Sequence, residues 1–151
     1  MEFTDVLNEK RADSLWQRIR QAAGVDPAIM EMRQRLLALG GIELVAPPNG
    51  DPDLQALLRN GALITGPARL RKMTRVWCHT NVAKLWNRVP RSLHYIGTGY
   101  ALSDDGLWRQ HSWGVKKDGT IVETTVLRSL YFGLLLEGSE AELFALANSV
   151  S

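Results

Sequence analysis

The groups in this chain best suited to nucleophilic chemistry are its single cysteine, its three histidines and a short acid–hydroxyl run near residue 123. Cys78 falls where a helix should begin. Unpaired backbone N–H groups and the helix dipole stabilise a thiolate at such a place. A cysteine nucleophile also needs a base within hydrogen-bond reach, and that base needs a group to orient it. His111 lies in the run LWRQHSW, and Glu123 and Thr124 lie on the next apolar run. This order suits attack of Cys78 on a carbonyl carbon, with His111 moving the proton and Glu123 holding the imidazolium. The plain alternative is a buried free cysteine beside a histidine hydrogen-bonded within a sheet.

The remaining polar and aromatic residues are weighed against that pairing. His79 follows Cys78 directly, and on a helix the two side chains point about 100° apart. It is therefore expected at the surface or behind the site. His94 is a second candidate base. A zinc site from Cys78, His79 or His94, and His111 matches no usual ligand spacing, so no metal is expected. Trp77 and Trp113 stand close to Cys78 and His111, where they would shield the site or line a groove. Trp86 and Trp108 are expected in the core. Trp77 and Gln110 are candidates for a second oxyanion donor beside the backbone N–H of Cys78. Asn81 and Arg128 are expected as cap or surface groups.

Several elements must position these residues. Apolar spacing suggests a helix over residues 6–23, ended by Gly24. Asp26 then reads as an N-cap with Pro27 at the first helical position, and Ile29, Met32, Leu36 and Leu39 form one stripe up to Gly40-Gly41. APPNGDP is irregular, a short helix follows at 53–60, and a brief apolar segment at 62–65. Cys78 opens a helix that ends before Pro90. Three strand-like runs come next, 93–102, 107–115 and 120–127, separated by Asp104-Asp105-Gly106 and Lys117-Asp118-Gly119. An apolar piece, 130–136, and a helix over 139–147 with a Ser139/Glu142 capping box close the chain.

The second hairpin decides the third site residue by parity. A two-residue turn at Asp118-Gly119 pairs Trp113 with Thr124 and puts Thr124 on the face of His111. A three-residue loop, 117–119, pairs Trp113 with Glu123 and sets Glu123 diagonal to His111. A one-residue slip exchanges the two. Glu123 is favoured, because a carboxylate holds an imidazolium better than a hydroxyl does.

The text HSWGVKKDGTIVETT resembles the histidine–aspartate hairpin of transglutaminase-like proteins, within the wider papain-like cysteine hydrolases. His111, Trp113, Asp118-Gly119, Glu123 and Thr125 stand where that family has histidine, tryptophan, turn, acid and threonine. The helix-start cysteine corresponds to Cys78 in RVWCHTNVAKLW. The resemblance spans about residues 75–127. It implies a papain-like/transglutaminase-like core, with the cysteine helix packed on a small antiparallel sheet. It also implies an amide-bond chemistry: peptidase, amidase, deamidase or acyl transferase. Two departures are visible, a Glu for the usual Asp and no evident side-chain oxyanion donor.

Composition sets the frame. At 151 residues, with 45% hydrophobic and 23% charged residues, the chain is long enough for one α+β domain with a real core. Residues 1–60 read as its mainly helical part and 61–151 as the Cys–His core. A formal charge of +2 implies no nucleic-acid surface. The basic cluster Arg69, Arg71, Lys72 and Arg75 reads as a solvated loop ahead of a phosphate patch. One cysteine excludes an internal disulfide and suits a reducing compartment. The first residues carry acidic groups and no signal-peptide core, and no stretch approaches the roughly 20 apolar residues that span a bilayer. The expectation is a cytoplasmic protein without a cofactor, with a protein or peptide substrate; secretion without a cleaved signal is also compatible. Oligomeric state is not set by the sequence. The rival readings are a non-catalytic module of the same fold that binds a protein partner, and a plain α+β scaffold.

Overall fold

The computed structural model describes residues 26–48 and 50–149. The expected helix over 6–23 lies outside them. The first described helix, α1 (Pro27–Leu39), starts as its sequence dictates. Asp26 accepts a hydrogen bond from the Ala28 N–H at 3.0 Å, and Pro27 takes the first position, where no N–H is needed. Ile29, Met32 and Leu36 are buried, whereas Leu39 is partly exposed at the helix end. Three further helices follow: α2 (Leu54–Asn60), α3 (Cys78–Asn87) and α4 (Gly138–Asn148).

Among the described residues, seven strands form one curled sheet: β1 (Glu43–Leu44), β2 (Ala62–Ile64), β3 (Ala68–Leu70), β4 (Tyr95–Leu102), β5 (Leu107–Val115), β6 (Ile121–Glu123) and β7 (Leu130–Leu136). The order is β2-β7-β4-β5-β6-β3, with β1 added to β5. Pairing is antiparallel except β1 with β5 and β3 with β6. The architecture is mixed α+β. No helix among the described residues is long and apolar enough to cross a membrane.

Alternation along β4 and β5 separates two apolar layers. Tyr100, Leu102 and Trp108 meet α1 and α2, and Ile96 with Val122 meets α3 and α4. On the opposite face, Ala101, Trp113, Val115, Ile121 and Tyr131 form a second apolar layer. The first half of the described chain thus packs on the same sheet as the second.

The β5–β6 hairpin has a three-residue loop. Val115 pairs with Ile121, the Lys116 N–H bonds to the Thr120 carbonyl at 2.9 Å, and Gly119 takes φ 90°. That register puts Glu123 opposite Trp113 and turns Thr124 to the other face. β6 is shorter than the run 120–127, because the Thr125 N–H turns back onto the Glu123 side chain at 3.0 Å instead of continuing the ladder.

Other expectations are corrected. The Ser139/Glu142 capping box does not form: Glu137 occupies the cap position without a side-chain bond, and Glu142 pairs with Arg91 at 2.9 Å. Arg69, expected in a loop, lies in β3. Asn81, expected as a cap or surface group, is buried.

Gly97 is required by a close approach. The Trp113 ring lies over its cross-strand partner Gly97, and a Cβ there would fall 2.1 Å from Trp113 Nε1. Trp113 is fully buried and carries one edge of the site, so the ring has little room to yield. Gly97→Ala is therefore expected to cost about 1–3 kcal/mol, a Tm drop of roughly 3–10 °C in a thermal melt. An unchanged Tm would show that the Trp113 ring moves freely.

Candidate active site

Cys78 is the first residue of α3, and the chain reaches it through an unusual turn. Val76 adopts φ 60°, a region costly for a β-branched residue, and Trp77 caps the helix without a side-chain bond. The turn is anchored behind. Asn81 Nδ2 donates to the Thr74 carbonyl at 2.7 Å and to Thr124 Oγ1 at 3.2 Å, and the Met73 N–H bonds to the Thr124 carbonyl at 2.8 Å. Thr124 thus ties the cysteine helix to the sheet. It is fully buried on the face away from His111, which removes it as a groove or oxyanion candidate.

β5 brings His111 to the thiol. Its outer edge is paired by β1 at Leu107 and Trp108 and by β6 at Gly114 and Val115. The span between, which holds His111, borders the start of α3. His111 Nε2 lies 2.7 Å from Glu123 Oε1, leaving Nδ1 as the ring nitrogen for Cys78. Trp113 stacks on the imidazole at 6.1 Å between centroids, with Tyr131 at 6.4 Å. Trp113 is fully buried, so it backs the site and does not line a groove.

Glu123 is fully buried, and its carboxylate is surrounded by donors. Besides His111, Tyr131 OH bonds to Oε1 at 2.9 Å, and the Thr125 N–H and Oγ1 both bond to Oε2 at 3.0 Å. Arg128 Nε lies 3.9 Å from Oε1, and its Nη2 reaches Thr125 Oγ1 at 3.2 Å. Burial raises the carboxyl pKa, but the bonds and charge of His111, with Thr125 and Tyr131, outweigh it and hold Glu123 below the usual range. Burial likewise disfavours the His111 imidazolium, and hydrogen bonds with Cys78 and Glu123 raise its pKa nonetheless. Burial raises the thiol of Cys78, yet His111 and then His79 bring it down to about 5. A thiolate–imidazolium pair is the form these shifts favour near neutrality.

His79 stands nearer the chemistry than its helix angle suggested. Its Nδ1 lies 2.6 Å from Ser112 Oγ, which in turn lies 2.9 Å from Thr98 Oγ1. Ser112 is on the opposite face of β5 from His111, so the two imidazoles act on the thiol from either side of one strand. His94 is turned away, 3.4 Å from Glu137. No group of three or more His, Cys, Asp or Glu able to hold a metal ion occurs among the described residues.

A cleft of about 500 Å³ opens onto Cys78 and His111, with Gln110, Arg109 and Arg128 on its walls. Gln110 is the one side-chain amide lining it among the described residues. Trp77 is half exposed and borders a separate shallow hollow with His79 and Thr80. The sequence reading did not single out Tyr131 or Ser112, and it set Asn81 and Arg128 aside as cap or surface groups, whereas Asn81 is buried and Arg128 reaches Thr125. Only the Thr125 bond to Glu123, two residues away, had a local signal.

Comparison with protein-family models, curated proteins and solved structures returns no match for this chain.

Glu123→Gln removes the ionised partner of a buried pair and should cost on the order of 3 kcal/mol at pH 7. The sign with pH follows from the lowered carboxyl pKa. Stability from Glu123 is present above the ordinary glutamate value near 4.3 and is lost as pH falls through its lowered folded value. Melts of both proteins should therefore draw together as pH falls below about 4.3 and meet only below the lowered folded value of Glu123. A gap independent of pH would mean that packing, not charge, sets the effect.

Proposed function

We propose that this protein is a cysteine-nucleophile hydrolase or acyltransferase acting on an amide bond, built on a papain-like/transglutaminase-like core. The supporting observation is the convergence of Cys78, at the first residue of α3, with an imidazole whose far nitrogen sits 2.7 Å from a buried carboxylate.

The Cys78 thiolate attacks the amide carbonyl carbon, forming a C–S bond and a tetrahedral oxyanion. The backbone N–H of Cys78 and the Gln110 side chain are the donors available on that side. The C–N bond then breaks, and the His111 imidazolium gives its proton to the leaving amine. A thioester remains. Water, deprotonated by His111, attacks it and releases the acid, restoring the thiol; an amine in place of water completes an acyl transfer. Glu123 keeps the imidazole oriented and favours its charged form, with Tyr131 and Thr125 fixing the carboxylate. His79 lowers the thiol pKa from the second side.

The pH profile has two limbs. The reactive pair forms as pH rises through about 5, the Cys78 value, and is lost as pH rises through the raised His111 value. Alkylation by iodoacetamide at pH 6 should be fast in the parent. In His111→Ala it should fall at least about tenfold, with the thiol titrating closer to its ordinary value near 8.5. His79→Ala should shift the thiol in the same direction by less. A parent thiol that titrates near 8.5 and ignores His111 would sink the proposal. A reactive thiol with no turnover of any peptide or glutamine amide would leave the partner-binding module.

A further inference from the structure

Beside the nucleophile's cleft lies a second hollow of about 380 Å³, lined by Leu70, Met73, Val126 and Leu127, with Lys72 and Arg75 at its rim. It shares Arg75, Thr125 and Val126 with the cleft, so the two adjoin. Leu70, Val126 and Leu127 are each about half exposed, an apolar surface with nothing packed on it among the described residues. No carboxylate among the described residues lines this hollow. The side chains of Arg69, Arg71, Lys72 and Arg75 are exposed and form no ion pair or hydrogen bond with a described residue. By contrast, Arg109 in the neighbouring cleft is neutralised by Asp105 at 2.8 Å.

Among the described residues the backbone beside the hollow is also open, because β3 ends the sheet. The Pro67 carbonyl and the Arg71 and Met73 N–H groups bond to the β6 side, at 2.8, 2.7 and 2.8 Å. By alternation, the backbone groups of Leu70 and Lys72 point to the unpaired edge. An extended peptide laid there would gain main-chain bonds, and its alternate side chains would meet the hollow.

We infer that this hollow is a specificity site for an extended peptide segment with an apolar residue flanked by acidic residues. The assignment rests on the amide chemistry above and names its substrate class. The apolar side chain fills the space between Leu70, Met73, Val126 and Leu127. The flanking carboxylates face Lys72 and Arg75 at the rim, which attract acidic chains and repel basic ones. The open strand edge favours a peptide over a fatty acyl chain, which has no main-chain groups to pair.

The test separates binding from catalysis. Three fluorescein-labelled peptides of equal length are titrated by anisotropy into full-length Cys78→Ala protein. One carries leucine between glutamates, one leucine between lysines and one glycine between glutamates. The first should bind at least about tenfold tighter than either other, a difference of about 1.4 kcal/mol. A K72E/R75E protein should lose that preference for glutamate over lysine, and Val126→Asp the preference for leucine over glycine. Equal affinities, or no binding at millimolar peptide, overturn the assignment; so does dodecanoate displacing the first peptide when the leucine–lysine peptide cannot, if K72E/R75E keeps its peptide preference. Cys78 alkylation in the parent is read separately. A fast thiol without peptide preference removes the substrate class and leaves the nucleophile. Peptide preference with an inert thiol leaves the hollow and removes the enzyme.

Discussion

A carboxylate without access to water must find donors for its lone pairs or take up a proton. Glu123 resolves this with four hydrogen bonds, from His111, Tyr131 and two from Thr125. Those donors come from three different places in the chain: β5, the turn after β6, and β7. The strand order is therefore part of the chemistry. Moving β7 away from β4 would strip Tyr131 from the carboxylate, and a slip of β6 by one residue would exchange Glu123 for Thr124. Each loss would leave a buried charge short of partners, a cost of several kcal/mol. The fold and the ionisation of Glu123 support each other.

From that anchor the electrostatics pass to the thiol through one imidazole ring. The ionised carboxylate raises the His111 pKa against burial, and the resulting cation lowers Cys78. β5 contributes from both of its faces. His111 projects to one face beside Trp113 and Tyr131. Ser112, its neighbour, projects to the helical side and binds the His79 ring. The helix start at the strand edge is the place where groups from both faces can meet one sulfur. Alternation in a strand, usually a device for separating core from solvent, here surrounds a thiol with imidazoles from both faces.

What was legible in the sequence was what is local. Asp26-Pro27 announces its helix, Gly40-Gly41 ends it, and the Asp-Gly pairs place the hairpins. Parity limited the third site residue to two candidates, and Gly119 at φ 90° fits the three-residue loop that selects Glu123. Non-local pairings left no such trace. β1 and β3 are two and three residues long and join their neighbours in parallel, far from any hairpin signal. Tyr131 reaches Glu123 only because β7 crosses to pair with β4. Asn81 looked like a surface residue, but it bonds a loop and a strand that periodicity cannot place. The helix angle misjudged His79, since a ring held by Ser112 reaches farther than its Cβ direction implies.

The local rules that the chain breaks gather just ahead of Cys78. Trp77 stands at a cap position where Ser, Thr, Asp or Asn would contribute about 0.5–2 kcal/mol. Val76 holds φ 60°, a conformation costing of order 1–3 kcal/mol in a β-branched residue. Neither departure improves packing, because Val76 is 82% and Trp77 50% exposed. Both keep polar side chains from occupying the first-turn N–H groups of α3. Those groups are fixed dipoles at the helix end that begins with Cys78, placed to favour a thiolate there. A capping hydroxyl or carboxylate there would stabilise the helix and compete for the same donors. The strain and the absent cap are consistent with a helix end reserved for negative charge at the sulfur.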